Sequence, residues 1–457
     1  MHKRYWHALT EESVIFVSIF KWVLLSAIIG GMVGTATAIF LKLLHVALDT
    51  THQFSYYYLL LPFALFLSAI IIRFISPDSE GHGTEKVIWA VHKRAGFLRL
   101  RVVPVKLFTT ILTIAFGGSA GKEGPCAQIG AALASTFSNI FRFTPNERKK
   151  LVICGISAGF ASVLGTPVAG AIFGVEVLFV GTLVYDILLP SFVAGMVSFE
   201  VSRRLGVEYD YLPMNLTETF NLPMFFKLIA AGIFFGLVAV LFIEMLKFFE
   251  KTAKGIQLWG PFKGLIGGAL LICIGLLFST DYLGMGLEQT YQALSGGNIL
   301  WYAFILKIIA TCITLSFCGS GGILTPLFFV GATSGVMFAN IFSLNPNLFA
   351  AFGFVALLAG AANTPLAACI LAVEMFGPSI APFATIVCVI SFLMTGFRSL
   401  YPTQVLAASK SSSILVQTGQ DVESTEAHFE YKTRKRLALS RQTVRRFTKQ
   451  FLHKSDD

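Results

Sequence analysis

Two apolar stretches of this chain repeat each other, and each ends in a glycine-rich break followed by proline. Residues 105–125 read VKLFTTILTIAFGGSAGKEGP, and residues 306–326 read LKIIATCITLSFCGSGGILTP. At a constant spacing of 201 positions, the identical pairs are Lys106 with Lys307, Thr113 with Thr314, Phe116 with Phe317, Ser119 with Ser320 and Pro125 with Pro326. Duplicated hydrophobic segments interrupted by Gly and Pro predict a binding site at mid-membrane, between two halves of one protein.

The duplication continues on both sides of this pair. Residues 81–85 (GHGTE) align with residues 284–288 (GMGLE), and Pro167 aligns with Pro365. The predicted division is an N-terminal tail over 1–13, a first membrane repeat over 14–205, a loop over 206–221, a second membrane repeat over 222–409 and a C-terminal tail over 410–457. Repeats that cross the membrane an odd number of times have opposite orientations. The predicted fold is an all-α polytopic membrane protein of two inverted-topology repeats with many broken, tilted helices.

Composition agrees with a membrane location. Of the 457 residues, 55% are hydrophobic and only 13% are charged, whereas about 25% are charged in a soluble domain. The apolar runs of membrane-crossing length are 14–43, 57–75, 224–248, 262–278, 299–317 and 379–396. The seven cysteines lie in or beside such runs without metal-ligand spacing, so they are interpreted as small buried side chains and no metal site is predicted.

The net charge of +10 is not spread evenly along the chain. Lys3 and Arg4 precede the first apolar run, and eight Lys and Arg residues lie from Lys432 to Lys449. Because positive ends favour the cytoplasmic side, both termini are predicted there, in a multi-pass protein of the plasma or inner membrane. The C-terminal tail is either a solvated charged segment or an amphipathic helix that binds anionic lipid. Nucleic-acid binding is disfavoured, because the basic residues lack interleaved aromatic residues and an accompanying domain.

Three glycine-bearing turns, at 81–85, 121–125 and 322–326, each precede a predicted helix. The first backbone N–H groups of a helix have no internal partner and lie at its positive end, which suits an anion. Three such helix starts directed at one point would bind an anion without a full positive charge, so that the ion can also leave. Ordinary close packing at glycine is the alternative explanation for any one of these turns.

Only the first copy of the repeat carries a carboxylate in its break, because Glu123 stands where the second copy has Leu324. A carboxylate inside a membrane span is by default a functional hypothesis. Its negative side chain would compete with an anion for the helix amides, and protonation would neutralise and release it. Glu123 is therefore predicted to couple proton binding to anion passage or to open a gate.

Other paired residues favour structural roles. Glu176 and Glu374 each follow the aligned proline by nine residues, and this symmetry favours carboxylates that hold nearby backbone N–H groups. Lys106 and Lys307 are interpreted in the same way, either as snorkelling side chains or as a general positive field. His82 is either a group that titrates near neutral pH or a neutral, hydrogen-bonded imidazole beside the site.

These residues resemble the CLC family of chloride channels and chloride/proton exchangers, over about residues 20–409. The most specific match is Gly121-Lys122-Glu123-Gly124-Pro125, followed by Gln128-Ile129-Gly130, which fits the family signature G(K/R)EGP. Residues 322–326 are similar to the family motif GxFxP. Ser399-Leu400-Tyr401 resembles the late segment whose tyrosine reaches the central anion.

The resemblance implies a homodimer through the membrane domain, with one pore in each subunit and Glu123 as the gating glutamate. The anion-binding residues that it implies are His82, Gly83, Lys122, Glu123, Gly124, Ile323, Leu324 and Tyr401. Among these, the amides of Ile323 and Leu324 and the Tyr401 hydroxyl are expected to line the central anion site.

The chain departs from the family pattern at two places. In the first-half motif GSGIP, His82 replaces the anion-contacting serine and Glu85 replaces proline, which affects the expected halide selectivity. After Glu176 the chain has Val177, where many exchangers carry the glutamate that accepts the internal proton. The 48 residues after position 409 are also too few for the family's paired regulatory CBS domains.

The leading functional prediction is chloride transport across the membrane, gated by and coupled to protonation of Glu123. The expected partners are halide ions, protons, lipid and a second copy of the chain, and no cofactor is expected. A passive chloride channel and a fluoride/proton antiporter stay open as alternatives. An intramembrane hydrolase is disfavoured because no HExxH, GxGD or Ser/His arrangement lies in the apolar spans, so no enzymatic activity is expected.

Overall fold

The computed structural model describes residues 2–214, 218–411, 414–425 and 428–429. The basic segment from Lys432 to Lys449 lies outside the described residues, as do the side chains of Lys3 and Arg4. The alternatives for the C-terminal tail therefore stay predictions.

Across the described residues the chain forms sixteen α-helices, eight in each half. Those of the first half are α1 (His2–His52), α2 (Leu61–Ile75), α3 (Thr84–Lys93), α4 (Val102–Ala115), α5 (Glu123–Ile140), α6 (Pro145–Leu164), α7 (Pro167–Glu176) and α8 (Leu188–Arg204). Those of the second half are α9 (Leu222–Gly255), α10 (Gly260–Leu277), α11 (Leu287–Leu294), α12 (Ala303–Ser316), α13 (Leu324–Ile341), α14 (Pro346–Ala361), α15 (Pro365–Phe376) and α16 (Ala381–Met394). Short 3₁₀ turns lie at Tyr57–Leu60, Pro77–Ser79, Tyr185–Ile187, Thr280–Tyr282, Pro378–Ile380 and Val422–Ser424.

The helices of the two halves correspond one to one in chain order. Helices α4 and α12 both have 14 residues, and α5 and α13 both have 18. Gly121 and Gly322, which are equivalent positions, pair in antiparallel fashion, with N–H to O distances of 2.7 and 2.6 Å. Equivalent residues that pair antiparallel are related by a local two-fold axis that passes between them. The predicted all-α fold of two inverted repeats is confirmed.

Hydroxyl groups repeat this symmetry at the contact between the halves. The Ser119 N–H donates to Thr314 Oγ1 at 3.0 Å, and the Ser320 N–H donates to Thr113 Oγ1 at 3.1 Å. These four residues belong to the identical pairs of the sequence repeat. Their side chains are fully buried, so these two backbone donors at the glycine breaks find their partners in the other half, as burial in a membrane protein requires.

Five helices are long and apolar enough to cross a bilayer, within the part of the chain that the structure describes. They are Glu11–His52 of α1, Tyr57–Ile75, Leu222–Gly255, Gly260–Leu277 and Leu324–Ile341. Several other apolar helices are shorter, including the ten-residue α7. Short helices of this kind end inside the hydrocarbon layer, where broken backbone is tolerated only when protein surrounds it.

Close contacts between glycine residues hold the innermost helices together. A methyl group on Gly130 of α5 would overlap the carbonyl of Gly155 on α6, and the reverse also holds. The second half repeats this contact with Gly331 of α13 and Gly353 of α14. Small residues at such crossings let helix backbones approach closely, which is the main source of helix association in membranes. These crossings fix α5 and α13, whose first residues face the centre of the protein.

The charged residues at 145–150 form the start of α6. Thr144 is the N-cap of this helix, and Thr144 and Glu147 make a reciprocal capping box. The Thr144 N–H donates to Glu147 Oε2 at 3.0 Å, and the Glu147 N–H donates to Thr144 Oγ1 at 3.3 Å. Charged residues at a helix start therefore reflect capping of exposed amides here.

The chain after the last helix folds back onto the membrane part. Strand β1 (Phe179–Val180) pairs in parallel with β2 (Val405–Leu406), and β3 (Ile414–Leu415) pairs antiparallel with β4 (His428–Phe429). The Lys410 ammonium group donates to Asn363 Oδ1 and to the carbonyl of Phe392. Gln404 Nε2 donates to the carbonyls of Val177 and Ala362, so residues 402–410 pack against the ends of α7 and α14, next to Tyr401.

Candidate anion site

The three glycine turns predicted from the sequence converge in the centre of the structure. A Cβ on Gly83 would lie 2.6 Å from the carbonyl oxygen of Gly124, and one on Gly124 would lie 3.1 Å from Gly322 Cα. Gly83 also has φ of +85°, which L side chains rarely adopt. Gly83 directly precedes α3, Gly124 is the second residue of α5, and Gly322 lies two residues before α13, so the N-terminal amides of these helices share one region.

Glu123, the first residue of α5, turns its carboxylate towards the N-terminus of α13. Its Oε2 accepts a hydrogen bond from the Thr325 N–H at 3.1 Å, and the Thr325 hydroxyl donates to the same oxygen at 2.6 Å. The side chain is only 1% exposed. A negative group is stabilised at this helix end, because the unpaired amides and the helix dipole both favour it. The Glu123 carboxylate thus occupies a position suited to an anion.

A second group of polar atoms surrounds Tyr401. The rings of His82 and Tyr401 lie 6.0 Å apart between centroids. Within the described residues, His82 Nδ1, Thr84 Oγ1 and the Tyr401 hydroxyl are buried without a hydrogen bond of normal geometry, although the Thr84 hydroxyl interacts with that of Tyr401. Buried polar atoms usually have partners, and unpartnered donors are satisfied by an ion or water of suitable size. We call His82, Thr84 and Tyr401 the lower patch.

The other predicted site residues lie close to these two positions. Lys122 precedes α5, and its N–H donates to Thr325 Oγ1 at 3.4 Å. Ile323 precedes α13, Leu324 is the first residue of that helix, and both are buried. A Cβ on Gly121 would lie 2.5 Å from Thr325 Oγ1 and 2.7 Å from Glu123 Oε2, so it would crowd the contact between these two side chains. The structure thus brings the eight predicted anion-site residues into one region.

Two buried lysines support the turns before α3 and α11. Lys106 donates to the carbonyls of Ser79 and Gly81, and Lys307 donates to those of Tyr282 and Gly284. Both side chains are fully buried, so neither one snorkels to the membrane surface. Each ammonium group binds carbonyl oxygens of a turn, which leaves the amides of the following helix start available.

Glu176 and Glu374 lie elsewhere and make a reciprocal pair of helix caps. Glu176 accepts from the backbone N–H groups of Leu366 and Ala367, at 3.0 and 2.8 Å. Glu374 accepts from those of Val168 and Ala169, at 3.0 and 2.7 Å. Each carboxylate therefore caps a helix of the other half, at the starts of α15 and α7.

Replacing Glu176 by glutamine is expected to lower the free energy of unfolding by about 2 kcal/mol, because a charged acceptor of two buried N–H groups is lost. Thermal unfolding of the purified protein in detergent measures this loss. Glu12→Gln, at an exposed position of α1, is the control and should leave the unfolding temperature unchanged. Equal unfolding temperatures for Glu176→Gln and the parent protein would contradict the capping role.

Sequence reasoning missed Thr325, which supplies both hydrogen bonds to Glu123. The repeat alignment places Thr325 opposite Gly124, so a hydroxyl residue in the first turn of the second copy was the available signal. Its contact with Glu123 could be recognised only from the packing of the first repeat against the second. Thr325 ties the carboxylate of one repeat to the helix start of the other.

The arrangement as a whole provides two positions for negative charge in a buried region. One lies at the start of α13 and holds the Glu123 carboxylate, and the other is the lower patch. Protonation of Glu123 would weaken its bonds to Thr325 and free the helix start for an anion. Fold and site together define a polytopic membrane protein of the anion channel and transporter class.

Comparison with known proteins identifies the family. Residues 63–396 match the family model described as "Voltage gated chloride channel". A protein of Pseudomonas syringae pathovar tomato named "Chloride/fluoride channel protein" is 34% identical over 439 residues, which cover 94% of this chain and 97% of that relative. The chain belongs to this voltage-gated chloride channel family, the CLC family.

Other relatives are named as exchangers. The "H(+)/Cl(-) exchange transporter ClcA" of Vibrio cholerae is 27% identical over 403 residues, which cover 80% of this chain and 82% of that protein. Among solved structures, "a CLC-type fluoride/proton antiporter" superposes with a TM-score of 0.81 at 29% identity, covering 86% of this chain and 99% of that one. A slow cyanobacterial Cl⁻/H⁺ antiporter shares the fold, with a TM-score of 0.72 at 19% identity.

Proposed function

We propose that this protein exchanges chloride for protons across the membrane, with Glu123 as both proton site and gate. The observation that carries the proposal is the Glu123 carboxylate bound to the start of α13 by Thr325. An anion and this carboxylate compete for the same amides, so proton binding and anion binding at Glu123 favour each other. The proposal invokes no cofactor and no enzymatic step.

The geometry also suggests how the ion is held. We assign the lower patch and the amides of Ile323 and Leu324 to the permeating anion. The proposal places no full positive charge against the ion, because Lys106 and Lys307 are engaged by carbonyl groups. Partial charges of helix starts and hydroxyls bind weakly enough for release, as transport requires.

The proposal is tested with the full chain in liposomes, by recording anion flux and pH together. We expect an outward chloride gradient to drive protons into the liposomes against their own gradient. Robust chloride flux without proton movement would instead favour the passive channel, for which Val177 is the supporting observation. Absence of any halide flux would refute the proposal.

Fluoride/proton antiport is the second candidate function. It is favoured by the relative named for chloride and fluoride, by the superposed fluoride/proton antiporter, and by the departures at His82 and Glu85. The same liposome assay with a fluoride gradient distinguishes the two cargoes. Fluoride flux well above chloride flux would assign the protein to fluoride.

His82→Ser is expected to change the chloride-to-fluoride flux ratio by about tenfold, the value of one hydrogen bond to a charged group. The reason is that the imidazole lies in the lower patch beside Tyr401. Met285→Ser, at the equivalent position of the second repeat, is the matched control and should keep the parent ratio. An unchanged ratio in His82→Ser would remove the imidazole from the anion pathway.

The distribution of positive charge supports an orientation in which the loops after α3 and α5 face the cytoplasm. The loops that follow α3 and α5 contain Arg94, Arg99, Arg101 and Arg142, whereas the equivalent loops over 295–302 and 342–345 contain no Lys or Arg. In an inverted repeat, equivalent loops lie on opposite faces. We therefore assign the basic loops to the cytoplasm by the positive-inside rule.

Two contacts connect the termini to this basic face. Lys21 of α1 pairs with Glu147, at the start of α6, and Asp421 pairs with Lys93, at the end of α3. Both termini are therefore proposed to be cytoplasmic, in a plasma-membrane protein. Protease accessibility in sealed vesicles of known orientation tests this assignment.

A homodimer through the membrane domain is proposed from family membership. Leu366 of α15 and Val389 and Leu393 of α16 are exposed apolar side chains that a second copy or lipid would cover. Cross-linking in liposomes at increasing dilution tests the assembly, and a monomer at every dilution would contradict it.

A further inference from the structure

Glu85 is a carboxylate at a position where the family motif GSGIP has proline. It is the second residue of α3, directly after Thr84 of the lower patch. Its Oε1 accepts a hydrogen bond from the Thr403 N–H at 3.1 Å, two residues after Tyr401. The side chain therefore joins the start of α3 to the segment that carries the Tyr401 hydroxyl.

The second carboxyl oxygen of Glu85 is buried without a partner. Oε2 makes no hydrogen bond to any of the described residues, although the side chain as a whole is partly exposed. A buried, unpartnered carboxylate oxygen is unfavourable as an anion. When protonated, the same oxygen becomes a hydrogen-bond donor instead of an unpaired negative acceptor.

The charges around Glu85 come from several elements. Lys86 lies next to it on α3, and Glu250 of α9 adds a second negative charge. Glu85 and Glu123 are both electrostatic neighbours of the Tyr401 hydroxyl. His82, across the turn, is faced by Lys106 of α4 and by Lys86. Tyr401 is thus under the influence of two carboxyl groups, one on α3 and one on α5.

We propose that Glu85 is a second proton-binding carboxyl of the anion pathway, with its charge state controlling anion occupancy of the lower patch. A charged Glu85 repels an anion beside Tyr401, and a protonated Glu85 admits it. By linkage, an anion at the lower patch then increases proton binding at Glu85 by the same factor. This role rests on the proposed function of the site and gives the chain a proton site that Val177 cannot supply.

The test measures chloride flux from liposomes in a Glu123→Gln background, which removes the other carboxyl. Flux is recorded with equal pH on both sides, from about pH 5 to about pH 8. Four proteins are compared: Glu123→Gln alone, and the same variant with Glu85→Gln, Glu85→Asp or Glu288→Gln. Glu288 is the matched control, because it is the exposed second residue of α11, the equivalent of α3.

We expect flux through Glu123→Gln to fall by about tenfold or more as pH rises over this range. Adding Glu85→Gln should remove this dependence, whereas Glu85→Asp, which retains a carboxyl, and Glu288→Gln should preserve it. A pH-independent Glu123→Gln protein, or one whose pH dependence survives Glu85→Gln, overturns the inference. Loss of folding in Glu85→Gln would be recognised by its size-exclusion profile. Glu85→Asp would then decide: a shifted pH midpoint of flux supports the inference, and an unshifted midpoint overturns it.

These outcomes are separable from failure of the proposed function. If the parent protein carries no chloride or fluoride at all, the anion pathway itself is wrong. If the parent protein carries halide and the Glu85 variants follow the pH profile of Glu123→Gln, only the role of Glu85 is wrong.

Discussion

Replacing Glu123 by glutamine is expected to reduce proton movement driven by a chloride gradient by about 100-fold or more, the usual effect of removing a positioned proton carrier. Glutamine keeps the shape of the side chain and can still approach Thr325, but it cannot bind and release a proton. Chloride flux should persist, because the amides of α3 and α13 that attract the anion are unaffected. Simultaneous recording of chloride and pH in liposomes measures both quantities in one experiment.

The matched control for this prediction is Glu176→Gln, which also removes a buried carboxylate, at a helix cap away from the site. Glu176→Gln should transport protons and chloride in the same ratio as the parent protein when it is assayed below its unfolding temperature. If Glu123→Gln moved protons as the parent protein does, Glu123 would lose its role as the proton site. If both variants lost proton movement, the effect would belong to buried carboxylates in general.

Gly124→Ala is expected to lower halide flux by about 100-fold or more, because displacement of catalytic or binding groups by about 1 Å has effects of this size. A Cβ at this position would overlap the carbonyl oxygen of His82 and lie 3.1 Å from Gly322 Cα. Both neighbours are backbone atoms of the other helix starts, so they cannot rotate away. The added methyl group must therefore separate the three turns, and halide efflux from liposomes measures the result.

Gly31→Ala is the control, because no atom lies within 4 Å of a Cβ built at Gly31 on α1. Alanine is also the better helix former by about 1 kcal/mol, so this variant should fold and transport as well as the parent. Comparison of size-exclusion profiles separates misfolding of Gly124→Ala from loss of transport. A folded Gly124→Ala protein with parental flux would show that the three turns do not need their close contact.

The homodimer, the side of the membrane on which the termini lie and the choice of ion have a common feature. Each depends on something outside one protomer. The homodimer depends on a second copy, the orientation of the termini on the membrane potential and lipid asymmetry, and the choice of ion on the hydration of the competing ions. The basic loops after α3 and α5 bear on orientation because charge asymmetry is a property of one chain. Halide choice depends on small differences in dehydration and hydrogen bonding at the lower patch.

The sequence alone determined that the protein is a membrane-spanning, two-repeat chain with one unmatched carboxylate, because hydrophobic length, duplication and glycine breaks are local properties. The positions of the three turns ahead of helices followed from the same signals. Only tertiary structure decided that Thr325 holds Glu123, that Lys106 binds the carbonyls of Ser79 and Gly81, and that Glu85 accepts a hydrogen bond from Thr403 in the segment of Tyr401. Glu123 and Thr325 are separated by about two hundred positions, and Glu85 and Tyr401 by over three hundred. Such contacts arise only when the two repeats pack together, since backbone groups freed by a break in one half must find partners in the other.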